Sequence, residues 1–289
     1  MSLHIITDSA SDITPDEAKE LGITVVPLKT VFGTTEYLDG IDLTANDFYE
    51  KLVETDELPS TSQISPYQYE MEYRAALATN DEVLVITLSQ KLSGCYQSAL
   101  IARDALDPEQ AEHVTVVDTL SVTIGEQLLI ELALRMRDEG KSAAEIGKMI
   151  ENRRNDVKVI ALLDTLEFLK RGGRISPTVA MAGNLLNIKP VLTVKDGLVE
   201  LLGKARGSKN GNNYLNKFVA ENGGIDYDAP YRLAYSGMSD ALLQKYIRDS
   251  KALYADKVDF LPITQVGSVI GTHAGPGAVA LAFFAANDK

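Results

Sequence analysis

Cysteine is nearly absent: Cys95 is the one cysteine among 289 residues. An intramolecular disulfide is therefore impossible, a cysteine-based zinc cluster does not fit, and a reducing compartment is the simplest setting. Histidine is also scarce. His4, His113 and His273 lie far apart and do not resemble a metal site. Positive charge is in deficit, with 28 Lys and Arg against 41 Asp and Glu, a net −13. Such a chain has no overall field for nucleic acid or for an anionic membrane surface, so any anion it binds needs local donors. No run approaches the roughly 20 apolar residues of a membrane span. The first eight residues lack the basic start and long apolar stretch of a signal peptide. Neither a P-loop nor a Gly-x-Gly-x-x-Gly motif occurs. The expectation is a cytoplasmic protein with no structural metal and no stable membrane insertion.

What is present is ordinary for a globular chain, 45% hydrophobic and 24% charged. From the N-terminus to about residue 155, short continuous apolar runs such as Val83–Leu88 and Val114–Val117 alternate with helical stretches. That rhythm predicts a parallel sheet covered on both faces. Ligands of such sheets sit beyond the carboxyl ends of the strands, where the polar loops 8–12, 89–94 and 118–121 fall. The second half reads differently. Strands are expected at 158–163, 189–195 and 198–203, the last two joined by Asp196-Gly197, a strong hairpin signal. Helices are expected at 177–186, 208–220 and 241–254, extended chain at 258–263 and 269–272, and either state at 278–286. The fold class is α/β, with an N-terminal domain of parallel sheet and helices (1–155) and a C-terminal α+β domain (156–289) on a mixed or antiparallel sheet. The cleft between them is the expected ligand site.

Thr61-Ser62-Gln63 and Leu92-Ser93-Gly94 place hydroxyls just before helices, the second beside a glycine, where side-chain O–H and backbone N–H groups can hold an anion without net charge. Ser93 equally suits a helix N-cap, and Thr61 and Ser62 equally suit a turn. His273 lies in a glycine-dense stretch, 271–277, where missing side chains allow close approach to a ligand. Arg171, Arg174, Lys204, Arg206 and Lys209 form local positive points, either a solvated surface or a rim for an acidic ligand or partner. Asp8, Asp12 and Asp118 suit caps better than a metal, because their spacing is not diagnostic.

Taken together, Thr7-Asp8-Ser9 with Asp12, the segments 59–66, 88–98 and 166–176, Asp118-Thr119 with Gly125, Lys189-Pro190 to Gly197, and Gly271 to Gly277 resemble the DegV family along the whole chain. The resemblance implies one long-chain fatty acid bound between two domains and no further cofactor. It implies a carboxylate held by Thr61, Ser62, Ser93 and Gly94 with His273 nearby. It also implies a carrier subunit with no active site of its own. A separate fatty acid kinase with a dihydroxyacetone-kinase-like domain would phosphorylate the bound carboxylate for phospholipid synthesis. Arg174 and Arg206 are then candidates for the pocket mouth or for kinase docking. Ile64 and Cys95 depart from the proline and threonine common in the family. Two other functions stay open on the residues alone: an acyl hydrolase using Ser93 and His273, and a phosphate- or nucleotide-binding protein.

Overall fold

The computed structural model describes residues 2–55, 57–175 and 188–286. Among them the strands run β1 (Leu3–Asp8), β2 (Thr24–Val26), β3 (Lys29–Phe32), β4 (Thr35–Leu38), β5 (Ser60–Ser62), β6 (Glu82–Thr87), β7 (Val114–Asp118), β8 (Val157–Leu162), β9 (Ile188–Lys195), β10 (Leu198–Arg206), β11 (Tyr231–Tyr235), β12 (Ile263–Gln265) and β13 (Val279–Phe284). The first sheet, in the order β2-β1-β6-β7, is parallel throughout. Helical returns enforce this, and both sheet faces are covered, so Val83, Leu84, Val85 and Ile86 are all buried in succession. Thr14, Thr44, Ser65 and Ser142 start their helices with reciprocal capping boxes to Glu17, Asp47, Gln68 and Glu145.

The second sheet runs β10-β9-β8-β13-β11-β12. It is antiparallel except for the parallel β11–β12 pair. Asp196 and Gly197 turn β9 into β10 with φ of +49° and +80°, the left-handed pair that a two-residue hairpin needs. A small antiparallel sheet, β4-β3-β5, lies apart from both. Helix Ile124–Asp138 packs between the two larger sheets. Its Leu128, Leu129 and Ile130 share one core with Ile5 and Ile86 of the first sheet and with Val157, Val159 and Phe284 of the second. Each such buried side chain contributes about 1.5–3 kcal/mol.

Four expectations differ from the structure. The turn that Thr61 and Ser62 equally suit is instead strand β5, because Ser60–Ser62 pairs with Lys29–Val31. The extended chain expected at 269–272 is helix Ser268–Ala274. The β-branched Val269 and Ile270 suggest strand, but Gly271 lies flush on Phe48 and Tyr49, where a Cβ would come within 2.6 Å of the Phe48 ring. Tertiary packing overrides the local preference there. The helix expected at 241–254 breaks at Ser250 into Ala241–Asp249 and Lys251–Tyr254, while the Ser250 hydroxyl donates to Asn216. Within 258–263, only Ile263 belongs to a strand, the one that runs on to Gln265. The segment 278–286 resolves as β13, at the centre of the second sheet. The helix expected at 177–186 lies outside the described residues.

Candidate ligand-binding site

A cavity of about 380 Å³ opens between the two larger sheets, within the size range of small-ligand pockets. Its walls are mostly apolar. β8 contributes Val159 and Ala161, β9 contributes Leu192 and Val194, and β13 contributes Ala280. These are alternate residues, so they project from one face of the second sheet. Ala161 and Ala280 stand directly opposite each other on neighbouring strands, and their small side chains leave the space that larger residues would fill.

Besides Gln63, Thr123 and Thr193, polar lining comes from four separate segments. β5 supplies Thr61 and Ser62, the loop after β6 supplies Ser93 and Gly94, helix Ser268–Ala274 supplies His273, and the segment after helix Glu167–Gly172 supplies Arg174. All six of these sequence candidates line the cavity. Arg206 does not. It is exposed at the end of β10, with Lys204 and Lys209 exposed nearby. Arg171 pairs with Glu167 at 2.9 Å.

His273 is a helix residue rather than part of a glycine loop, one position before the helix end. Its Nε2 lies 2.9 Å from Thr61 Oγ1. Its Nδ1 is buried without a partner and faces Gly172, where a Cβ would come within 2.1 Å. Burial, and then the nearby Arg174 charge, pull the imidazole pKa down to about 4, so the ring is neutral at pH 7. Arg174 itself donates from Nε to the Leu92 carbonyl (3.2 Å) and from a terminal nitrogen to the Gly172 carbonyl (2.7 Å). It thereby ties the Ser93 loop to the Gly172 turn.

Ser93 is not the N-cap. Gly94 caps helix Cys95–Asp104 without a side-chain bond. The Ser93 hydroxyl is 3.2 Å from Cys95 Sγ and 3.4 Å from the Cys95 N–H. Burial pushes the Cys95 thiol up to about 12, which makes it a poor nucleophile. Among the described residues no group of His, Cys, Asp and Glu is arranged to hold a metal.

Several further residues position the site through partners far away in the chain. A Cβ on Gly94 would fall 2.0 Å from Gln63 Oε1, so Gln63 lies across the glycine and joins the two hydroxyl loops. Its amide donates to Ser98 at 3.0 Å. Asp8 accepts from the Leu88 N–H at 2.9 Å, just ahead of the Ser93 loop. Asp118 accepts from the Gln90 and Leu120 N–H groups at 3.2 and 2.9 Å. Asp12 accepts from the Gly267 N–H at 2.8 Å and from Thr123 Oγ1. Thr123 also lines the cavity and has φ +52°, an uncommon state for a β-branched residue. Burial pushes Asp8 up to about 7 and Asp12 up to about 8. The aspartates at the strand ends thus serve as loop anchors. The sequence signal was available as caps, but the partners lie up to 255 residues away.

Comparison with known proteins agrees with this architecture. A family model described as "Uncharacterised protein, DegV family" matches residues 2–286. A DegV domain-containing protein of Caldanaerobacter subterraneus is 35% identical over 283 residues, 97% of this chain and 98% of that protein. Among solved structures, one described as fatty acid binding of a DegV family protein from Thermus thermophilus is 35% identical. It superposes with a TM-score of 0.86 over 99% of this chain and 100% of that one. A DegV lipid binding protein from Thermotoga maritima is 28% identical, with a TM-score of 0.86 over the full length of both chains. No helix among the described residues is long and apolar enough to cross a membrane. On the extent of these matches, the chain belongs to the DegV family.

Proposed function

We propose that the protein binds one long-chain fatty acid in the cavity between the sheets and presents its carboxylate to a separate kinase. Thr61, Ser62, Ser93 and Gly94 hold the carboxylate, His273 acts on it through Thr61, and the tail lies along the apolar wall. The observation that carries this reading is the pairing of a small polar cluster, free of any unneutralised acid, with an otherwise apolar cavity. Each buried CH₂ of the tail contributes about 0.8 kcal/mol, so the tail supplies most of the affinity and the head supplies orientation. His273 is neutral and donates from Nε2 to Thr61 Oγ1. The Thr61 proton is then free to point at the ligand, and the unpartnered Nδ1 is the bare nitrogen of that tautomer. A head held by neutral donors releases a charged product more easily than an arginine clamp would, and Arg174 is engaged on backbone carbonyls.

The kinase half rests on the family resemblance and on the exposed basic group at Arg206. Residues 1–155 and 156–289 then form the two domains that enclose a cytoplasmic carrier's cargo. A hydrolase reading has less support. His273 Nε2 is bonded to Thr61, Ser93 Oγ contacts Cys95, and no acid orients the imidazole through Nδ1. Denaturing mass spectrometry of the purified protein tests the main reading, with one long-chain acid per chain expected. No lipid on extraction, together with no palmitate binding by the delipidated protein, overturns it. Turnover of an acyl ester would restore the hydrolase, and thermal stabilisation by ATP would favour a nucleotide binder.

A further inference from the structure

Helix Ser268–Ala274 is gripped at both ends by the N-terminal half of the chain. At its start, the Gly267 N–H donates to Asp12 Oδ1 (2.8 Å), and the Ser268 N–H and hydroxyl both donate to Asp39 Oδ1 (2.9 and 2.6 Å). Because the Ser268 proton goes to Asp39, its oxygen accepts from Thr30 Oγ1 at 2.8 Å. At its end, His273 meets Thr61. Thr30 and Thr61 are register partners on β3 and β5. The contacts therefore close a ring: Thr30, Ser268, the helix, His273, Thr61 and back to Thr30.

The start of this ring is an expensive construction. Asp12 and Asp39 are both buried, and neither has an ion-pair partner among the described residues. A Cβ on Gly267 would lie 3.2 Å from Oδ1 of both, so the two acids converge on one glycine. Burying two carboxyl groups side by side is costly, because each must either give up hydration of its charge or take up a proton. An exposed capping box, as at Thr14 or Thr44, would start a helix without that cost. Two carboxyls fix more than a start, because together with Thr30 they fix the rotation of the helix about its axis. A slip of one residue would turn His273 by about 100°.

We propose that Asp12 and Asp39 are positioning residues, which set the rotation of helix Ser268–Ala274 and so hold His273 against Thr61. The proposal deepens the fatty-acid reading and rests on it for its effect on lipid. Asp12 has a second hold on the cavity through Thr123, whose N–H donates to the Ala10 carbonyl at 2.8 Å.

Palmitate affinity of delipidated protein is measured for wild type, Asp39→Asn, His273→Ala and the double variant. Positioning through His273 requires that Asp39→Asn weaken palmitate roughly five- to tenfold in the wild-type background, and by less than about twofold once His273 is alanine. Equal losses in both backgrounds make Asp39 purely structural and overturn the proposal. A second readout needs no lipid: the imidazole titration of His273, followed by NMR in the delipidated protein. Asp39→Asn must move that titration toward the ordinary histidine range, and an unmoved titration overturns the proposal whatever the lipid affinities show. If His273→Ala leaves palmitate affinity intact, the carboxylate reading fails by itself, and the titration alone decides whether Asp39 places the ring. Should Asp39→Asn not fold, Ser268→Ala replaces it in both measurements, since it removes the hydroxyl that links Asp39 to Thr30 and leaves Asp39 only the backbone N–H.

Discussion

His273 Nε2 and Thr61 Oγ1 are 2.9 Å apart although 212 positions separate them along the chain. The contact joins the penultimate residue of a C-terminal helix to a three-residue strand near the N-terminus. Whatever disturbs either element reaches the polar end of the cavity directly.

Gly172→Ala isolates that contact. Gly172 is helical, so alanine suits its backbone, but the new Cβ would meet His273 Nδ1 at 2.1 Å. The ring must swing away from Thr61. Without the imidazole to orient it, Thr61 loses its hydrogen bond to the charged head, worth about 1.5–3 kcal/mol, so palmitate affinity should drop roughly ten- to a hundredfold. Melting of the delipidated protein should change little. Unchanged affinity in a calorimetric titration would separate His273 from the head group. Gly211→Ala is the contrasting variant. Its Cβ would strike Leu162 Cδ2 at 2.4 Å, in the core on the other side of β8, so melting should fall while affinity stays close to wild type.

Ala161→Leu should shorten the acyl chain that fits. The added carbons enter the cavity opposite Ala280. Each methylene displaced from the apolar wall costs about 0.8 kcal/mol, close to a fourfold loss in affinity. Competition between palmitate and a shorter acid should therefore shift toward the shorter one. An unchanged preference would place the tail elsewhere.

Stability should depend on pH through Asp12. Its folded pKa of about 8 lies above the ordinary carboxyl value, chiefly because of burial. In the unfolded chain the group ionises first, so folding is penalised progressively as pH rises from about 4 toward about 8, and the penalty then levels off. Asp12→Asn keeps an acceptor for the Gly267 N–H but cannot ionise. Its denaturant midpoint should fall less steeply than that of wild type over this interval. His273 acts in the opposite sense, since its folded pKa near 4 removes stability as pH falls below about 6.5. Parallel profiles for wild type and Asp12→Asn would show that Asp12 is ionised in the fold.

Arg206→Ala should leave lipid occupancy and melting unchanged while lowering acyl-phosphate formation by an added kinase. Arg206 is exposed and outside the cavity lining, and a rim charge acts mainly on association rate and its salt dependence. Full turnover at sub-saturating carrier would remove Arg206 from the docking surface.

Much of the architecture was legible because the strands of the first sheet are unbroken apolar runs and Asp196-Gly197 marks its hairpin unmistakably. Thr61, Ser93 and His273 were legible as chemistry, as hydroxyls and an imidazole beside glycines at element ends. Their meeting was not, since nothing local couples residue 61 to residue 273. Ser60–Ser62 hides as a strand because it has no apolar alternation and exists through its pairing with β3. Helix Ser268–Ala274 hides because its β-branched residues argue for strand, while its anchors, Asp12 and Asp39, sit at the other end of the sequence. Gln63 reads as an ordinary polar loop residue until Gly94 is brought beneath it.

The facing alanines on β8 and β13 carry a further consequence. A sheet whose two central strands bear such small side chains toward its neighbour has an unfinished core, and on the fatty-acid reading the cargo completes it. Loading then acts as a folding term. Ligand at a hundred times its dissociation constant adds about 2.7 kcal/mol to the folded state. The supply of free fatty acid would set how long each copy survives proteolysis, so carrier abundance would follow cargo without any regulator of its own.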